Sequence, residues 1–468
     1  MRPRRLAVYL VVIAITTLCL GAEEPASEGR ISEDMIAAFR AMVEKDPRTP
    51  ALVNALTRNS VKDLVVDNKK LRSHDSNYSN LLKTGDVTNQ RGSGRCWLFA
   101  GFNILRPRVI KKYNLASFEF SENHAFFWDK LEKANLFLEG ILRTLDRPLD
   151  DRLVTWLLQN ALPDGGQWNM VVDLIAKYGV VPVSVMPDTK HSSGTGELNR
   201  LIELKLRRDA AEIRRLKVEG KGIEELRGRK VAMLAEVYRL LAYHFGEPPT
   251  SFQWRFKDKD DKLSELKTYT PRSFYAEVVG LDLSEYVLLY DCPAQPYGKL
   301  YRVDYDRDLQ DRPSMTFANV PIDVLKNAAL AQLLEGEPVW FGCDVGQEHL
   351  GDPGILETNI FDYESLLGVD LKLTKKERIL YRDSIPSHAM VLQGVDVRDG
   401  KPVKWRVENS WGPDRGDKGY LAMYDGWFDE YVYSAIVHRK HLSEEVRRIF
   451  AEEPVTLPPW DPMYDRLR

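Results

Sequence analysis

Cysteine is scarce in this sequence. The 468 residues include four cysteines, Cys19, Cys96, Cys292 and Cys343, and no two of them show the C-x-x-C spacing. Such a set supports neither a disulfide framework nor a cysteine-based zinc site. Cys343 lies in the short apolar run "PVWFGCDVG" and Cys292 in "YDCPAQPYG". Both contexts favour buried, structural thiols, which leaves Cys96 as the cysteine whose role has to be explained.

An excess of charge of one sign is also lacking. The chain has 66 Lys and Arg against 69 Asp and Glu, a formal net charge of −3. This balance indicates no general attraction to nucleic acid or to an anionic membrane. Residues 197–245 are rich in both signs and basic in their first half, but their apolar residues have helical spacing. A solvated helical face is therefore favoured over a nucleic-acid patch, and no nucleic-acid partner is expected.

Long hydrophobic runs are absent except at the N terminus. Basic residues at positions 2, 4 and 5 precede "LAVYLVVIAITTLCL" (6–20), which is followed by Gly21 and Ala22. This pattern predicts a signal peptide over residues 1–22, with an uncleaved anchor as the alternative. The run is short for a transmembrane span. We expect an exported protein, periplasmic or secreted, without membrane attachment after cleavage. If the signal-peptide interpretation is wrong, we expect a cytoplasmic protein.

The rest of the chain divides into a helical part and a β-rich part, so we predict an α+β fold. Helical spacing dominates residues 30–284, starting with a helix after Ser32 that is followed by polar loop sequence up to residue 95. Short β-rich runs separated by turn residues make up residues 285–440. Residues 451–468 contain four prolines, which predicts an extended arm.

Cys96 follows the loop "NQRGSGR" and begins a helical pattern that includes Leu98, Phe102 and Leu105. We expect Pro107 to bend or interrupt this helix. Four roles compete for Cys96: a core thiol, half of a disulfide, a metal ligand and a nucleophile. A helix N terminus lowers the pKa of a thiol, and a cationic imidazole lowers it further. The nucleophile hypothesis therefore requires a histidine from elsewhere in the chain.

A hairpin supplies that histidine. Asp399 and Gly400 form a strong turn signal between "SHAMVLQGVD" and "VKWRVENSW". With these two residues as the loop, His388 lies opposite Trp411, and Asn409 lies two residues away on the same face. An asparagine carbonyl can orient an imidazole and set its tautomer. We expect Trp411 to cover the hydrogen bond between His388 and Asn409.

Gln90 is the remaining candidate, six residues before Cys96. Its side-chain NH₂, together with the backbone N–H of Cys96, could stabilise the oxyanion of a tetrahedral intermediate. A structural role is an alternative for each of these residues alone, and a lone histidine on a strand is more often structural than catalytic. Their joint arrangement is much less expected by chance.

The motifs "NQRGSGRCWLFAG", "SHAMVLQGVD" and "KWRVENSWG" resemble the papain-like cysteine peptidases in order and local context. The bleomycin hydrolase (aminopeptidase C) family is the most similar, and the likeness extends through "KGYLAMYDGWFDEYVY" and "LPPWDPM", from about residue 35 onward. The resemblance implies a papain-like two-lobed peptidase domain over residues 23–450. A helical lobe with a large helical insertion, about 30–284, would face a β-rich lobe, about 285–440. The arm, 451–468, would reach the active-site cleft.

The resemblance also implies residue roles. Cys96 would be the nucleophile, His388 the general base and acid, Asn409 the orienting residue and Gln90 the oxyanion donor. The activity implied is a cysteine aminopeptidase that hydrolyses N-terminal residues from peptides with free N-termini through a thioester acyl-enzyme. No cofactor or metal is implied, and members assemble as homohexamers.

The chain departs from the family pattern in two respects, and two alternative functions are considered. Familiar members are cytosolic and tend to end in small residues soon after "WDPM", whereas this chain has an apparent export signal and ends in "YDRLR". The alternative function is a papain-fold binding protein or nucleic-acid-associated scaffold without turnover. A transglutaminase-like Cys-His-Asp site is disfavoured because the third residue is Asn409.

Overall fold

The computed structural model describes residues 29–464, which divide after Leu64 into two compact units. The signal peptide predicted over residues 1–22 and the last four residues of the arm lie outside the described residues. Within residues 29–464, no helix is both long and apolar enough to cross a bilayer.

The first unit begins with the predicted helix. α1 (Glu33–Lys45) starts after Ser32, whose Oγ accepts a hydrogen bond from the N–H of Met35 at 3.2 Å. The expectation of loop sequence from there to residue 95 was wrong, because three short helices follow. They are α2 (Thr49–Leu56), α3 (Val61–Val65) and, in the second unit, α4 (Asn68–Ser73). Pro50 suits the first turn of α2, and the Asp67 carboxylate caps α4, so polar sequence here encodes helix starts.

The remaining helices all belong to the second unit. They are α5 (Cys96–Lys112), α6 (Glu122–Arg143), α7 (Arg152–Gln159), α8 (Trp168–Tyr178), α9 (Lys190–Ser193), α10 (Gly196–Val218), α11 (Ile223–Phe245), α12 (Pro271–Phe274), α13 (Ile322–Leu334), α14 (Tyr363–Leu367), α15 (Lys375–Leu380), α16 (Asp425–Tyr431) and α17 (Glu444–Ile449). A π-helix (Tyr275–Val279) and two 3₁₀ turns (Leu283–Glu285 and Arg439–His441) complete the helical structure of the described chain.

The strands lie mainly in the C-terminal half, as the β-rich pattern predicted. They are β1 (Asn80–Leu81), β2 (Phe252–Trp254), β3 (Lys267–Tyr269), β4 (Tyr286–Tyr290), β5 (Lys299–Val303), β6 (Thr316–Asn319), β7 (Val339–Cys343), β8 (His349–Leu350), β9 (Ile355–Leu356), β10 (His388–Arg398), β11 (Lys401–Glu408), β12 (Tyr420–Tyr424), β13 (Val432–His438) and β14 (Val455–Leu457).

One large sheet organises the β-rich part. Its order is β14-β5-β6-β4-β13-β7-β10-β11-β12-β9-β8, with β1 beside β10, while β2 and β3 form a separate pair. β10 lies near the middle and is buried along most of its length. β7 pairs with β10 from His388 and β11 pairs with it from Val391, so the pairing with β7 holds the start of β10 in a defined position.

The hairpin of β10 and β11 has the predicted turn. Asp399 and Gly400 have φ of 50° and 75°, the left-handed pair that a two-residue turn requires. Two register irregularities, between Leu392 and Gly394 and between Asp396 and Val397, offset each other. Pairing near the end of the hairpin, with Val391 opposite Glu408, therefore follows the predicted register.

The charged segment 197–245 forms the helical pair α10 and α11. Its basic side chains bond to carboxylates, both within α10 and between the helices. Arg229 of α11 meets Glu212 of α10 at 2.6 Å, and Lys205 of α10 meets Glu236 of α11 at 2.7 Å. Apolar residues such as Ile213 and Val237 are fully buried on the opposite faces. This pattern is that of a solvated amphipathic pair packed on a core.

The arm begins as an edge strand. β14 pairs in parallel with β5, and the N–H of Asp304 donates to the Leu457 carbonyl at 3.0 Å. Beyond it, Met463 and Tyr464 are buried, and the Arg152 guanidinium lies 4.5 Å from the Trp460 ring. Residues 451–464 are thus docked along the sheet, and entry of residues 465–468 into the cleft stays a prediction.

Candidate active site

Cys96 is the first residue of α5. The N–H groups of a first helical turn have no acceptor within the helix, and they lie at the positive end of the helix dipole. The helix continues past Pro107 to Lys112, so Pro107 does not interrupt it, and the alternative of a bend stays a prediction. Ten residues of α5 are buried, which holds Cys96 rigidly at the end of a core helix.

His388 begins β10 and meets Asn409 just beyond the end of β11. Its Nε2 lies 2.8 Å from Oδ1 of Asn409, which also accepts the N–H of Ser410 at 2.8 Å. Because an amide oxygen only accepts, Nε2 carries the proton. The other ring nitrogen, Nδ1, is thereby left for the hydrogen bond that His388 makes with Cys96. Asn409 is only 2% exposed to solvent, so water does not compete for this contact.

Cys96 and His388 shift each other's pKa in opposite directions. Burial alone raises the pKa of the Cys96 thiol, but the charge and hydrogen bond of His388, with the N–H groups of Ala389 and Trp97, lower it overall. Burial lowers the pKa of His388, yet the Cys96 charge and the hydrogen bonds to Cys96 and Asn409 raise it overall. The site therefore favours a thiolate beside an imidazolium.

Trp411 packs over His388, as predicted. The two rings are 5.0 Å apart and inclined by 32°, and His349 lies 6.1 Å from Trp411 on a tilted plane. An aromatic ring in this position shields the His388–Asn409 hydrogen bond.

Gln90 is buried, and two hydrogen bonds orient its side chain. Its Nε2 donates to the Ser93 carbonyl at 2.7 Å, and its Oε1 accepts the Ser410 hydroxyl at 2.7 Å. Its backbone N–H donates to the Ser410 carbonyl at 2.8 Å. Ser410 therefore connects Gln90 to Asn409, its neighbour in sequence. The second hydrogen of the Gln90 amide remains for a ligand.

An anchoring set that sequence reasoning missed holds the loop before Cys96. The Asp164 carboxylate accepts the Gly94 N–H at 3.1 Å, Lys130 Nζ at 2.5 Å and Asn199 Nδ2 at 2.6 Å. Lys130 is buried, and its charge and hydrogen bond outweigh burial in holding the Asp164 pKa well below its usual range. No local signal marks Asp164 in the sequence, because its partners come from three distant segments.

A second anchor ties the same loop to the segment around α9. The Arg95 guanidinium makes a paired contact with the Asp188 carboxylate, at 2.7 and 2.9 Å. The N–H of Gly92 donates to the Ser193 carbonyl at 2.9 Å. The loop thus takes its shape from segments about 70 to 100 residues further along the chain.

The other two described cysteines are buried, as predicted. Cys343 lies opposite His388 on β7, and burial raises its pKa well above the usual value. Burial likewise raises the pKa of Cys292 to about 12, which keeps it a neutral thiol. Over residues 29–464, no cluster of three or more His, Cys, Asp or Glu has the arrangement of a metal site.

The sequence of this chain is similar to those of known proteins. The model of the Peptidase C1-like family matches residues 30–464. Aminopeptidase C of Streptococcus thermophilus is 41% identical over 436 residues, 92% of this chain and 98% of that protein. Bleomycin hydrolase of Rattus norvegicus is 37% identical over 445 residues, again 92% and 98% of the two chains.

A solved structure extends the likeness to three dimensions. The crystal structure of PepW from Lactobacillus rhamnosis HN001 has a TM-score of 0.90 and 41% identity, and the match covers 93% of this chain and 99% of that one. The α+β, papain-like fold that the motifs predicted is therefore confirmed. With a family model that spans nearly all of the described residues and relatives that match over their whole length, this chain belongs to the Peptidase C1-like family.

Proposed function

We propose that this protein is a cysteine aminopeptidase that removes residues from the N-termini of peptides through a thioester acyl-enzyme. The observation that carries the proposal is the contact between Nε2 of His388 and Oδ1 of Asn409, at 2.8 Å, beside a thiol at a helix N terminus. That contact leaves the other imidazole nitrogen for Cys96. Relatives named aminopeptidase C support the same activity.

The acylation step uses each group once. The Cys96 thiolate attacks the carbonyl carbon of the first peptide bond, and the C–S bond forms. The second amide hydrogen of Gln90 and the N–H of Cys96 stabilise the oxyanion, a donor being worth roughly 10²–10³ in rate. The His388 imidazolium then protonates the leaving nitrogen, and the C–N bond breaks.

Deacylation reverses the roles of the imidazole. Neutral His388 takes a proton from water, and the hydroxide formed attacks the thioester carbonyl. The C–S bond breaks, the amino acid leaves, and Cys96 returns as thiolate beside imidazolium. Asn409 keeps the imidazole plane fixed through both steps.

We attribute the restriction of cleavage to free N-termini to the arm, residues 451–468. Tyr464 packs against Tyr290 at the end of β4, with ring centroids 5.6 Å apart. Tyr290 pairs with Ser434, Ser434 with Gly342, and Gly342 with Ala389, the neighbour of His388. Three steps between neighbouring strands, of about 4.8 Å each, separate Tyr290 from Ala389 by about 14 Å. A chain of four residues, such as 465–468, spans about the same distance when fully extended.

We propose that the end of the arm lies in the cleft, where a carboxylate would pair with a substrate's free amino group and block longer chains. Deleting residues 465–468 leaves the Tyr464 contact intact. We expect the truncated enzyme to lose activity on free-amine substrates and to gain cleavage of N-acetylated peptides. An unchanged preference for free N-termini would refute the role of the arm.

Turnover itself is tested with the purified chain under reducing conditions. Aminoacyl fluorogenic amides should be hydrolysed, and their N-acetylated counterparts should not. A thiol-directed peptide electrophile should label Cys96, with Cys343→Ala as the matched control that keeps the label. Absence of both hydrolysis and labelling would favour the alternative, a papain-fold scaffold without turnover.

Two further proposals concern the state of the protein. Residues 1–22 act as a signal peptide, so the mature, exported chain begins near Glu23 and is periplasmic or secreted; an intact Met1 on cytosolic protein would contradict this.

Six chains assemble, by resemblance to the aminopeptidase C family, which light scattering of the mature protein tests.

A further inference from the structure

A cavity of about 490 Å³ opens beside the proposed catalytic centre. Trp411, which packs over His388, forms one wall, and Arg91 and Arg415 lie at its rim with Asp352. The volume lies within the range of small-ligand sites. The catalytic mechanism above assigns no role to any of these three charged residues.

The cavity and the arm lie on opposite sides of His388. The arm docks through β14 and β5, at one end of the sheet, whereas the cavity is lined by residues of β8, the β8–β9 turn and β12, near the other end. β10, with His388, lies between them. If the arm receives the amino terminus of a substrate, the remainder of the peptide extends toward the cavity.

The chemistry of the leaving group points the same way. His388 has to protonate the leaving nitrogen, so the residue that carries this nitrogen lies next to the imidazole. The aromatic neighbour of the imidazole is Trp411, which is also a wall of the cavity. The first and second residues after the scissile bond are therefore placed against this cavity.

The charges at the rim favour an anion. Arg91 and Arg415 are exposed, and within residues 29–464 neither guanidinium has a carboxylate within 4.0 Å. Asp352 is the single acidic side chain among the lining residues, so the rim has an excess of one positive charge. A guanidinium matches the planar, two-oxygen geometry of a carboxylate.

We propose that Arg91 and Arg415 bind a carboxylate on the leaving part of the substrate, so that the enzyme prefers peptides with a negative charge one or two residues after the scissile bond. The carboxylate is either the C terminus of a dipeptide or tripeptide, or an acidic side chain. This inference rests on the proposed aminopeptidase function and deepens it by naming a substrate class.

The test compares substrates that differ only in that charge. One set is a dipeptide with a free C terminus and its C-terminal amide; the other is a tripeptide amide with glutamate or glutamine after the scissile bond. We expect kcat/KM to favour the charged member of at least one set by about tenfold at low salt, and the ratio to shrink as NaCl rises. The set that shows the effect identifies the source of the carboxylate.

Variants then assign the effect to the rim. R415Q, and R91Q with R415Q, should bring the ratio close to one, R415K should keep part of it, and Asp352→Asn should raise it. A ratio cancels any general loss of activity from altered folding. A salt-independent ratio of one in the wild-type enzyme, or a preference that survives the double substitution, would overturn the inference. A wild-type enzyme that hydrolyses none of the free-amine peptides would instead refute the proposed function.

Discussion

The loop that carries Cys96 and the hairpin that carries His388 and Asn409 are positioned by different means. The hairpin depends on neighbours in sequence: a two-residue turn with positive φ at Asp399 and Gly400 sets the pairing of β10 with β11. The loop before Cys96 depends on partners far away in the sequence, at Asp164, Asp188 and Ser193.

This difference has a consequence for the energetics of the site. The hairpin is part of a twelve-stranded sheet, in which His388 pairs with Cys343 of β7 and the rest of β10 pairs with β11 from Val391 onward. The loop has few backbone ladders and relies on charged side chains, such as Asp164 against the buried Lys130. We expect that loss of an ion pair will disrupt the structure of the loop, and that loss of the turn geometry will disrupt the structure of the hairpin.

Removing the nucleophile should have the largest effect on activity. Cys96→Ala replaces a small, partly buried thiol by a small methyl group, so the fold should persist while hydrolysis falls to background. Steady-state kinetics and circular dichroism of the same sample measure both. Cys343→Ala, as the control, should cost stability more than turnover. Retention of more than a few per cent of activity in Cys96→Ala would contradict the assignment.

Removing the loop anchor should affect both stability and rate. Asp164→Ala leaves Lys130 as a buried charge without its partner, a change that costs about 3–5 kcal/mol of unfolding free energy. Chemical denaturation measures the cost.

Asp164→Asn, which can still accept the Gly94 N–H, serves as the matched control and should retain more turnover than Asp164→Ala. If both variants keep wild-type kcat, the anchor does not shape the oxyanion site.

Asn409→Ala should lower turnover without abolishing it. His388 keeps its proton-transfer chemistry and loses the hydrogen bond that orients it, so we expect kcat to fall by about 10²-fold. Single-turnover kinetics measures this loss. A loss as complete as that of Cys96→Ala would show that Asn409 has a further role.

The pH profile of kcat/KM should depend on the ionisation of Cys96 after the loop and of His388 in the hairpin. The Cys96 pKa is lowered and the His388 pKa is raised, and both shifts favour the thiolate–imidazolium pair. Activity should fall below the first pKa, as the thiolate gains a proton, and above the second, as the imidazolium loses one.

Because the Asn409 hydrogen bond raises the His388 pKa, Asn409→Ala should move the alkaline limb to lower pH. An unshifted alkaline limb would mean that the contact contributes nothing to the imidazolium.

The turn of the hairpin should give the smallest effect. Gly400 has φ of 75° and open space around its Cα, so Gly400→Ala introduces backbone strain alone, about 1 kcal/mol. Thermal unfolding measures the change. Gly228→Ala, at an exposed position within α11, is the same substitution and should stabilise slightly. A larger loss in Gly400→Ala than in Asp164→Ala would reverse the comparison of loop and hairpin.

Much of the site was accessible from sequence because its signals are local. Asp399–Gly400 predicts the hairpin, the hairpin register brings Asn409 next to His388, and the helical pattern after residue 95 puts Cys96 at a helix N terminus. The family prediction from the motifs is confirmed. The catalytic roles of Gln90, Cys96, His388 and Asn409 and the domain boundaries stay predictions.

Other features were decided by tertiary structure. The short helices α2 to α4 were missed because caps such as Asp67 resemble loop sequence. Pro107 was expected to bend or interrupt α5, but the helix continues past it, with ten of its residues buried.

By itself, the sequence determined the α+β class, the turn at Asp399–Gly400 and the start of α5 at Cys96, because turn geometry, capping and apolar spacing act over a few residues. Only the tertiary structure decided that Asp164 holds Gly94, that Ser410 joins Gln90 to the His388–Asn409 pair, and that Arg91 and Arg415 share one rim. These contacts join residues tens to hundreds of positions apart, and their partners are chosen by the packing of whole elements.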